Sequence, residues 1–285
     1  MSASVYMVDV FGSEAISGNP LAVVVDAGDL ATDDMLRLTR WFNLSETTFL
    51  LPPTQPAADY RVRIFTLERE MPFAGHPTLG TCHVWLEVGG APKCGAEIVQ
   101  ECGAGLVSIR RNQGRCAFAA PPLLRSGPPS SDELAEAQQF LGIDGHEIVD
   151  AAWIDNGPGW LGVRLASAER VLALRPSRSW PRRIDIGVIG PHAPGGDAAF
   201  EVRAFFSDHL GTIVEDPVTG SLNASLAQWL FAAGVTTADY VAAQGTRLGR
   251  AGRVRASRDE AGQVWIGGEA RTHVVGRLQG IYSVE

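Results

Sequence analysis

Lysine is almost absent from this 285-residue chain. Of its 24 basic residues 23 are arginine, and the one lysine, Lys93, sits in the turn-like run Gly89-Gly90-Ala91-Pro92-Lys93-Cys94-Gly95. Walker-type phosphate loops need a lysine behind their glycines, and Schiff-base or pyridoxal-phosphate chemistry needs a lysine amine. Lysine-dependent chemistry is therefore excluded, and no cofactor is expected. Long apolar runs are also missing. Residues 21–25 are typical of the longest, far short of the ~20 residues that span a bilayer. No basic residue precedes Arg37, so a signal peptide's positive start is lacking. Four cysteines (Cys82, Cys94, Cys102, Cys116) include no C-x-x-C pair, and their gaps of 12, 8 and 14 fit no zinc spacing. The expectation is a cytoplasmic protein with reduced thiols, no membrane partner and no metal. With 32 acids against 24 bases the net charge is −8, which argues against nucleic acid as a partner.

What is present is ordinary globular composition, 45% hydrophobic and 20% charged, at a length that suits about two domains. Strands are expected at 5–10, 21–25, 44–51, 60–65, 105–110, 152–154, 162–165 and 199–205, with a closing hairpin of 253–257 and 263–266. One helix is expected at 33–42, capped by Thr32, and another at 132–141, capped by Ser131 and ended by Gly142. Residues 121–130 read as a linker. The two most apolar helix candidates, 77–88 and 222–233, carry few charges and should be enclosed on all sides.

Those two helices mark an internal repeat. Gly75-His76-Pro77-Thr78-Leu79-Gly80 opens the first and Gly220-Ser221-Leu222-Asn223-Ala224-Ser225 the second, 145 residues on, and Gly89 and Gly234 end them at the same offset. Upstream, Val62-Arg63-Ile64-Phe65 matches Val202-Arg203-Ala204-Phe205 at offset 140, so a five-residue insertion is expected in the second copy. The fold expected is α+β: two pseudo-symmetric lobes, each a curled, mostly antiparallel sheet around a central helix. The lobes are placed at 1–121 and 131–285, and the last strand is allowed to return to the first lobe.

A helix N-terminus offers unpaired N–H groups and positive partial charge to a carboxylate or phosphate. If the lobes face one another, two such starts converge on a cleft; alternatively each is an ordinary cap. Glu46, in Leu44-Ser45-Glu46-Thr47-Thr48-Phe49-Leu50-Leu51, is a carboxylate in a strand-like apolar segment. It is costly to bury unless neutral or partnered, or else it faces solvent from an amphipathic strand. Glu215 and Asp216 precede the second helix, either as functional acids or as complements to the helix end. His76 alone of six histidines stands at a glycine-flanked helix start, and no H-E-x-x-H pattern exists. Gly157-Pro158-Gly159-Trp160-Leu161-Gly162 matches G-x-G-x-x-G literally, yet a strand-like run follows it rather than a helix, so it reads as a turn.

The chain resembles the phenazine-biosynthesis PhzF-like proteins. The resemblance runs through Phe11 with Gly18-Asn19-Pro20-Leu21-Ala22-Val23-Val24, Asn43-Leu44-Ser45-Glu46-Thr47-Thr48-Phe49, and Asp59-Tyr60-Arg61-Val62-Arg63-Ile64-Phe65-Thr66. It continues through Pro72-Phe73-Ala74-Gly75-His76-Pro77-Thr78-Leu79-Gly80-Thr81, then Glu215-Asp216-Pro217-Val218-Thr219-Gly220-Ser221 and Gln244-Gly245. It implies a diaminopimelate epimerase-like fold, often dimeric, and isomerisation by proton transfer on a small cyclic amino acid or carboxylate. Glu46 matches the proton-shuttling glutamate, with His76 and Asp216 beside it as catalytic groups. Asn19, Gly75, Gly220 and Ser221 match substrate-binding positions. The related epimerases use two thiols at the helix starts, where this chain has His76 and Ser221, so a two-thiol racemase is disfavoured. Two departures stand out: Ser207-Asp208-His209-Leu210 replaces an expected Pro-containing turn, and Asn223 follows Thr-Gly-Ser where small residues or His are usual. The expectation is a cofactor-independent isomerase and homodimer acting on a small-molecule carboxylate. An epimerase or lyase at the same cleft, and a non-catalytic carboxylate-binding protein, are the alternatives.

Overall fold

A computed structural model describes residues 3–95, 97–112, 114–208 and 210–280. These fall into two compact units: the residues up to Ala119 with those from Gly267 onward, and Ala120–Ile266. The expected limits are 1–121 and 131–285, with the last strand allowed to return to the first lobe; here the boundary along the chain falls between Ala119 and Ala120, and the residues from Gly267 onward belong to the first unit. His209, in the expected turn, lies outside the described residues.

In the first unit β1 (Ser4–Val10) runs antiparallel to β2 (Asn19–Val25), which lies parallel to β3 (Thr47–Leu51). Helix α1 (Thr32–Phe42) makes the crossover that this parallel pair requires. The antiparallel β4 (Tyr60–Phe65) follows, with a short hairpin partner β5 (Glu70–Met71) and a parallel neighbour β6 (Glu97–Cys102). Strands β7 (Gly105–Asn112) and β8 (Arg115–Ala119) extend the sheet antiparallel. Helix α2 (Gly75–Glu87) lies against β1 to β4 and β8 and is buried along nearly its whole length. It begins two residues before the expected 77, since the Thr78 amide already closes a helical turn on Ala74.

The second unit repeats this pairing scheme. Its β9 (Arg125–Gly127) flanks β10 (Ile148–Asp155), which is antiparallel to β11 (Leu161–Leu165). Strand β11 is parallel to β12 (Asp185–Pro191), and β12 is antiparallel to β13 (Phe200–Ser207). Strand β13 takes a hairpin partner, β14 (Ile213–Asp216), and a parallel neighbour, β15 (Tyr240–Gln244). Strand β16 (Gly252–Arg258) pairs antiparallel with β15, and β17 (Val264–Gly268) follows. Helix α3 (Ser131–Leu141) precedes β10, and α4 (Ala168–Ala173) stands between β11 and β12 as α1 stands between β2 and β3. Helix α5 (Gly220–Ala232) takes the place of α2 and contacts β10 and β16; it was expected at 222–233. The closing strand β18 (Ala270–Arg277) pairs with β1 from Ser4↔Arg277 to Val10↔Ala270, which fixes it in the first unit.

The register accounts for the two repeat offsets. Phe65 pairs with Glu70 in the first hairpin and Phe205 with Glu215 in the second, so the five-residue insertion lies in the tip of the second. Each hairpin carries the same ion pair. Arg63 grips Glu70 with two hydrogen bonds of 2.8 and 2.6 Å, and Arg203 grips Glu215 at 2.9 and 2.8 Å. Each guanidinium also lies over the phenylalanine two residues on, Phe65 or Phe205.

Caps fell one residue earlier than expected. Ala31, not Thr32, is the N-cap of α1, and Thr32 Oγ1 accepts from Arg63 Nη2 instead. Ser130, not Ser131, caps α3 in a reciprocal box with Glu133. The Ser130 amide, the Trp153 indole and Arg125 all donate to the Glu133 carboxyl and pull its pKa down to about 2. Lys93 staples a surface turn, its Nζ donating to the Pro56 and Ala58 carbonyls.

Candidate functional site

Asn19 opens β2 immediately after a loop that only glycine permits. A Cβ on Gly18 would lie 2.1 Å from the Val10 carbonyl oxygen, and the buried Asp9 carboxylate accepts from the amides of Ser17 and Gly18. The Asn19 side chain, fully buried, is thereby aimed at α2, where its amide nitrogen lies 3.4 Å from His76 Nδ1. A side-chain N–H can only donate, so Nδ1 accepts and the proton of the neutral ring resides on Nε2. Nε2 in turn lies 3.5 Å from Glu46 Oε2. Asn19, His76 and Glu46 thus form one chain of polar contacts ending on a carboxylate.

Burial keeps the histidine in that tautomeric, uncharged form. His76 is 4% exposed, and desolvation lowers its pKa to about 3. It is a neutral donor at physiological pH. Glu46 does not lie inside a strand as its segment suggested. The strand starts at Thr47, and Glu46 is the last residue of the connection from α1, half-buried with its side chain 19% exposed. That connection begins at Asn43, whose left-handed backbone (φ 56°) ends α1.

Gly75 and His76 form the first turn of α2, and Pro77 adds no N–H to it. The helix has no side-chain cap, and no acid in its first turn, where α1 has Asp33 and Asp34 and α3 has Asp132 and Glu133. Its positive end is therefore not offset by an acid of its own first turn. From the strand side, buried Gln100 bridges the Tyr60 hydroxyl and Thr78 Oγ1 and so anchors that first turn.

The second unit builds its helix start in parallel. Helix α5 likewise has no first-turn acid and no side-chain cap. Asp216 ends β14 and accepts from Thr219 Oγ1 at 2.6 Å, which closes the turn into Gly220. Ser221 Oγ accepts from the Trp160 indole at 3.1 Å, and its carbonyl accepts from Asn156 Nδ2. Fully buried Gln244 organises this turn. Its Oε1 accepts from the Thr219 amide and from Asn223 Nδ2, while its Nε2 donates to the Asp216 carbonyl and Thr219 Oγ1. Asn223 stands 145 residues after Thr78, so each unit pins the same helical position with a glutamine. Gly245 is required beside it, since a Cβ there would lie 2.5 Å from the Pro217 carbonyl.

Sequence reasoning had Gln244 in a motif without assigning it a task. Trp160 lay in a segment read as a turn; the segment links β10 to β11 and runs into β11 at Leu161, and it also delivers the Trp160 indole to Ser221. Asn156 gave no local signal. Glu215, one of the two acids before α5, is committed to Arg203. Among the described residues no group of three or more side chains could hold a metal ion, and no helix is long and apolar enough to cross a membrane.

Comparison with known proteins places this arrangement in a family. A family model described as phenazine biosynthesis-like protein matches residues 8–276. The Schizosaccharomyces pombe protein called antisense-enhancing sequence 1 is 33% identical, over 95% of this chain and 96% of its own. The trans-2,3-dihydro-3-hydroxyanthranilate isomerase of Pseudomonas aeruginosa is 32% identical over 90% of this chain and 91% of its own. The crystal structure of a phenazine biosynthesis protein of the PhzF family from Enterococcus faecalis superposes with a TM-score of 0.78 at 26% identity, covering 98% of this chain and 99% of that one.

Proposed function

The chain belongs to the phenazine biosynthesis-like protein family, and from that premise we propose an isomerase that moves a proton on a small cyclic carboxylate or amino acid, with Glu46 as its acid–base group. The observation that carries this reading is the contact of Glu46 Oε2 with His76 Nε2 at the start of α2. Glu46 takes a proton from one carbon of the substrate and returns it to another. The neutral His76 N–H orients the carboxylate without competing for the proton, because the ring stays uncharged far below neutral pH. The amides of Gly75 and His76 and the positive end of α2 receive the substrate carboxylate and the negative charge that grows on it as the C–H bond breaks. In the second unit Asp216 is proposed as a further catalytic group, and Gly220 and Ser221 as binding groups at the start of α5.

A general acid–base group contributes typically about 10²–10⁴-fold. The test incubates the wild type and Glu46→Gln in D₂O with trans-2,3-dihydro-3-hydroxyanthranilate, the compound that names a relative, and with a panel of cyclic amino acids. Deuterium incorporation with double-bond migration, reduced at least 10²-fold in Glu46→Gln, supports the reading. Undiminished exchange in a folded Glu46→Gln overturns Glu46 as the carrier. Exchange at one stereocentre without double-bond migration replaces the isomerase by an epimerase.

A further inference from the structure

Two buried thiols meet inside the first unit, neither of them among the residues assigned to the start of α2. Cys82 lies midway along α2, Cys116 lies on β8, and their Sγ atoms are 3.8 Å apart. Cys116 also forms part of the wall of a cavity of about 280 Å³, which Arg111, His83 and Glu87 line with polar groups. The two sulfurs are not equivalent. The Cys82 S–H donates to Cys116, and this bond, with the charge of Arg111, holds the Cys116 thiol below its ordinary pKa. The same bond and near-complete burial push Cys82 well above its own. Of the two, Cys116, whose thiol is held below its ordinary pKa, is the residue that lines the cavity, and Cys82, whose thiol is pushed up, is not among the lining residues. Cys102 is raised by burial, and Cys94 is exposed on a surface turn.

We propose that Cys116 and Cys82 form a peroxide-responsive dithiol, with Cys116 attacking a hydroperoxide that enters the cavity and Cys82 resolving the product. In the first step the Cys116 thiolate attacks the hydroperoxide. An S–O bond forms, the O–O bond breaks and hydroxide or alkoxide leaves, so that Cys116 is oxidised to the sulfenic acid and the peroxide is reduced. In the second, Cys82 gives up its proton and attacks the Cys116 sulfur. The S–S bond forms, the S–O bond breaks, and the departing hydroxide takes the proton to leave as water. The net change is two thiols and one hydroperoxide to one disulfide, one alcohol or water, and one water. Closing the pair to a disulfide length of about 2.05 Å asks for an approach of roughly 1.8 Å between the sulfurs.

The experiment treats the intact protein with hydrogen peroxide at a few equivalents, alkylates the remaining thiols and maps the peptides by mass. The expected result is a Cys82–Cys116 disulfide formed ahead of any change at exposed Cys94. In Cys82→Ser the sulfenic acid is expected to persist on Cys116 and to be trapped by dimedone, and Arg111→Gln is expected to slow oxidation several-fold. Oxidation of Cys94 or Cys102 first, with Cys82 and Cys116 still reduced, overturns the proposal. So does a folded Cys82→Ser protein whose Cys116 yields no dimedone adduct. The wild-type map decides the matter by itself should a variant not fold.

Discussion

The paired hairpins offer a controlled measurement of what burial does to one ion pair. Arg63–Glu70 and Arg203–Glu215 have the same two-bond geometry, the same phenylalanine beneath the guanidinium and equivalent places in the repeat. They differ in exposure: 23% and 38% for Arg63 and Glu70, against 6% and 15% for Arg203 and Glu215. Arg203 also spends Nη1 on the carbonyls of Val171 and Leu174, so it has no route to solvent when its partner is lost. Replacing Glu70 by Gln should cost at most about 1 kcal/mol, because water screens and replaces the lost charge. Replacing Glu215 by Gln strands a buried cation and should cost about 3–5 kcal/mol. At about 2–4 °C per kcal/mol for a chain segment of this size, the expected falls in Tm are no more than about 4 °C for the first and roughly 6–20 °C for the second. Calorimetry and urea unfolding followed by tryptophan fluorescence measure both variants. Equal losses in the two would refute the argument that burial, not hydrogen-bond geometry, sets the value of the pair.

Other outcomes follow from the two helix starts. Gln244→Leu leaves the buried Thr219 N–H and the Asp216 carbonyl without the partner that each has in Gln244, at about 1–3 kcal/mol each, so urea stability should fall by about 2–6 kcal/mol; a loss under 1 kcal/mol contradicts the network. The pKa of His76 is near 3 in the folded chain against about 6.5 unfolded, so between those values the unfolded state binds the extra proton. Its contribution is whole above pH 6.5 and is lost as pH falls, by about 3 kcal/mol at pH 4.5. The stability difference between wild type and His76→Gln should therefore shift by that amount between pH 7.5 and 4.5, and a constant difference sinks the assignment of a buried neutral ring. Asn19→Leu removes the donor that fixes the His76 tautomer; a hydrogen bond of about 1 kcal/mol sets the expected loss at roughly 5–10-fold, in kcat rather than KM.

The repeat was legible because glycines and apolar helices are local signals. Gly75 and Gly220 mark positions where a helix starts with no acid or side-chain cap, and those can be counted along a chain. Residues 44–51 show where local reading fails. The apolar run suggested that Glu46 is a strand residue, whereas pairing of β3 with β2 and β4 begins only at Thr47, and pairing is a property of three segments together. The cap of α3 shifted by one residue for a local reason, since Glu133 stands three residues after Ser130 to complete the reciprocal box, whereas Leu134 holds that place after Ser131.

Composition alone removed lysine chemistry, a membrane-spanning helix and a zinc site of ordinary spacing from consideration. The motifs by themselves placed Glu46, His76, Asp216 and Ser221 on the page, and the offsets of 140 and 145 announced a duplicated architecture with one insertion. Only the tertiary structure put Asn19 against His76 across 57 residues, Gln244 against Thr219, and Cys82 against Cys116. It also decided that Glu215 serves Arg203 while Asp216 turns the chain into Gly220. The reason is physical. A side chain's ability to donate, accept or bear charge is written in its chemistry, but its partner and its dielectric surroundings are set by which strands and helices close around it.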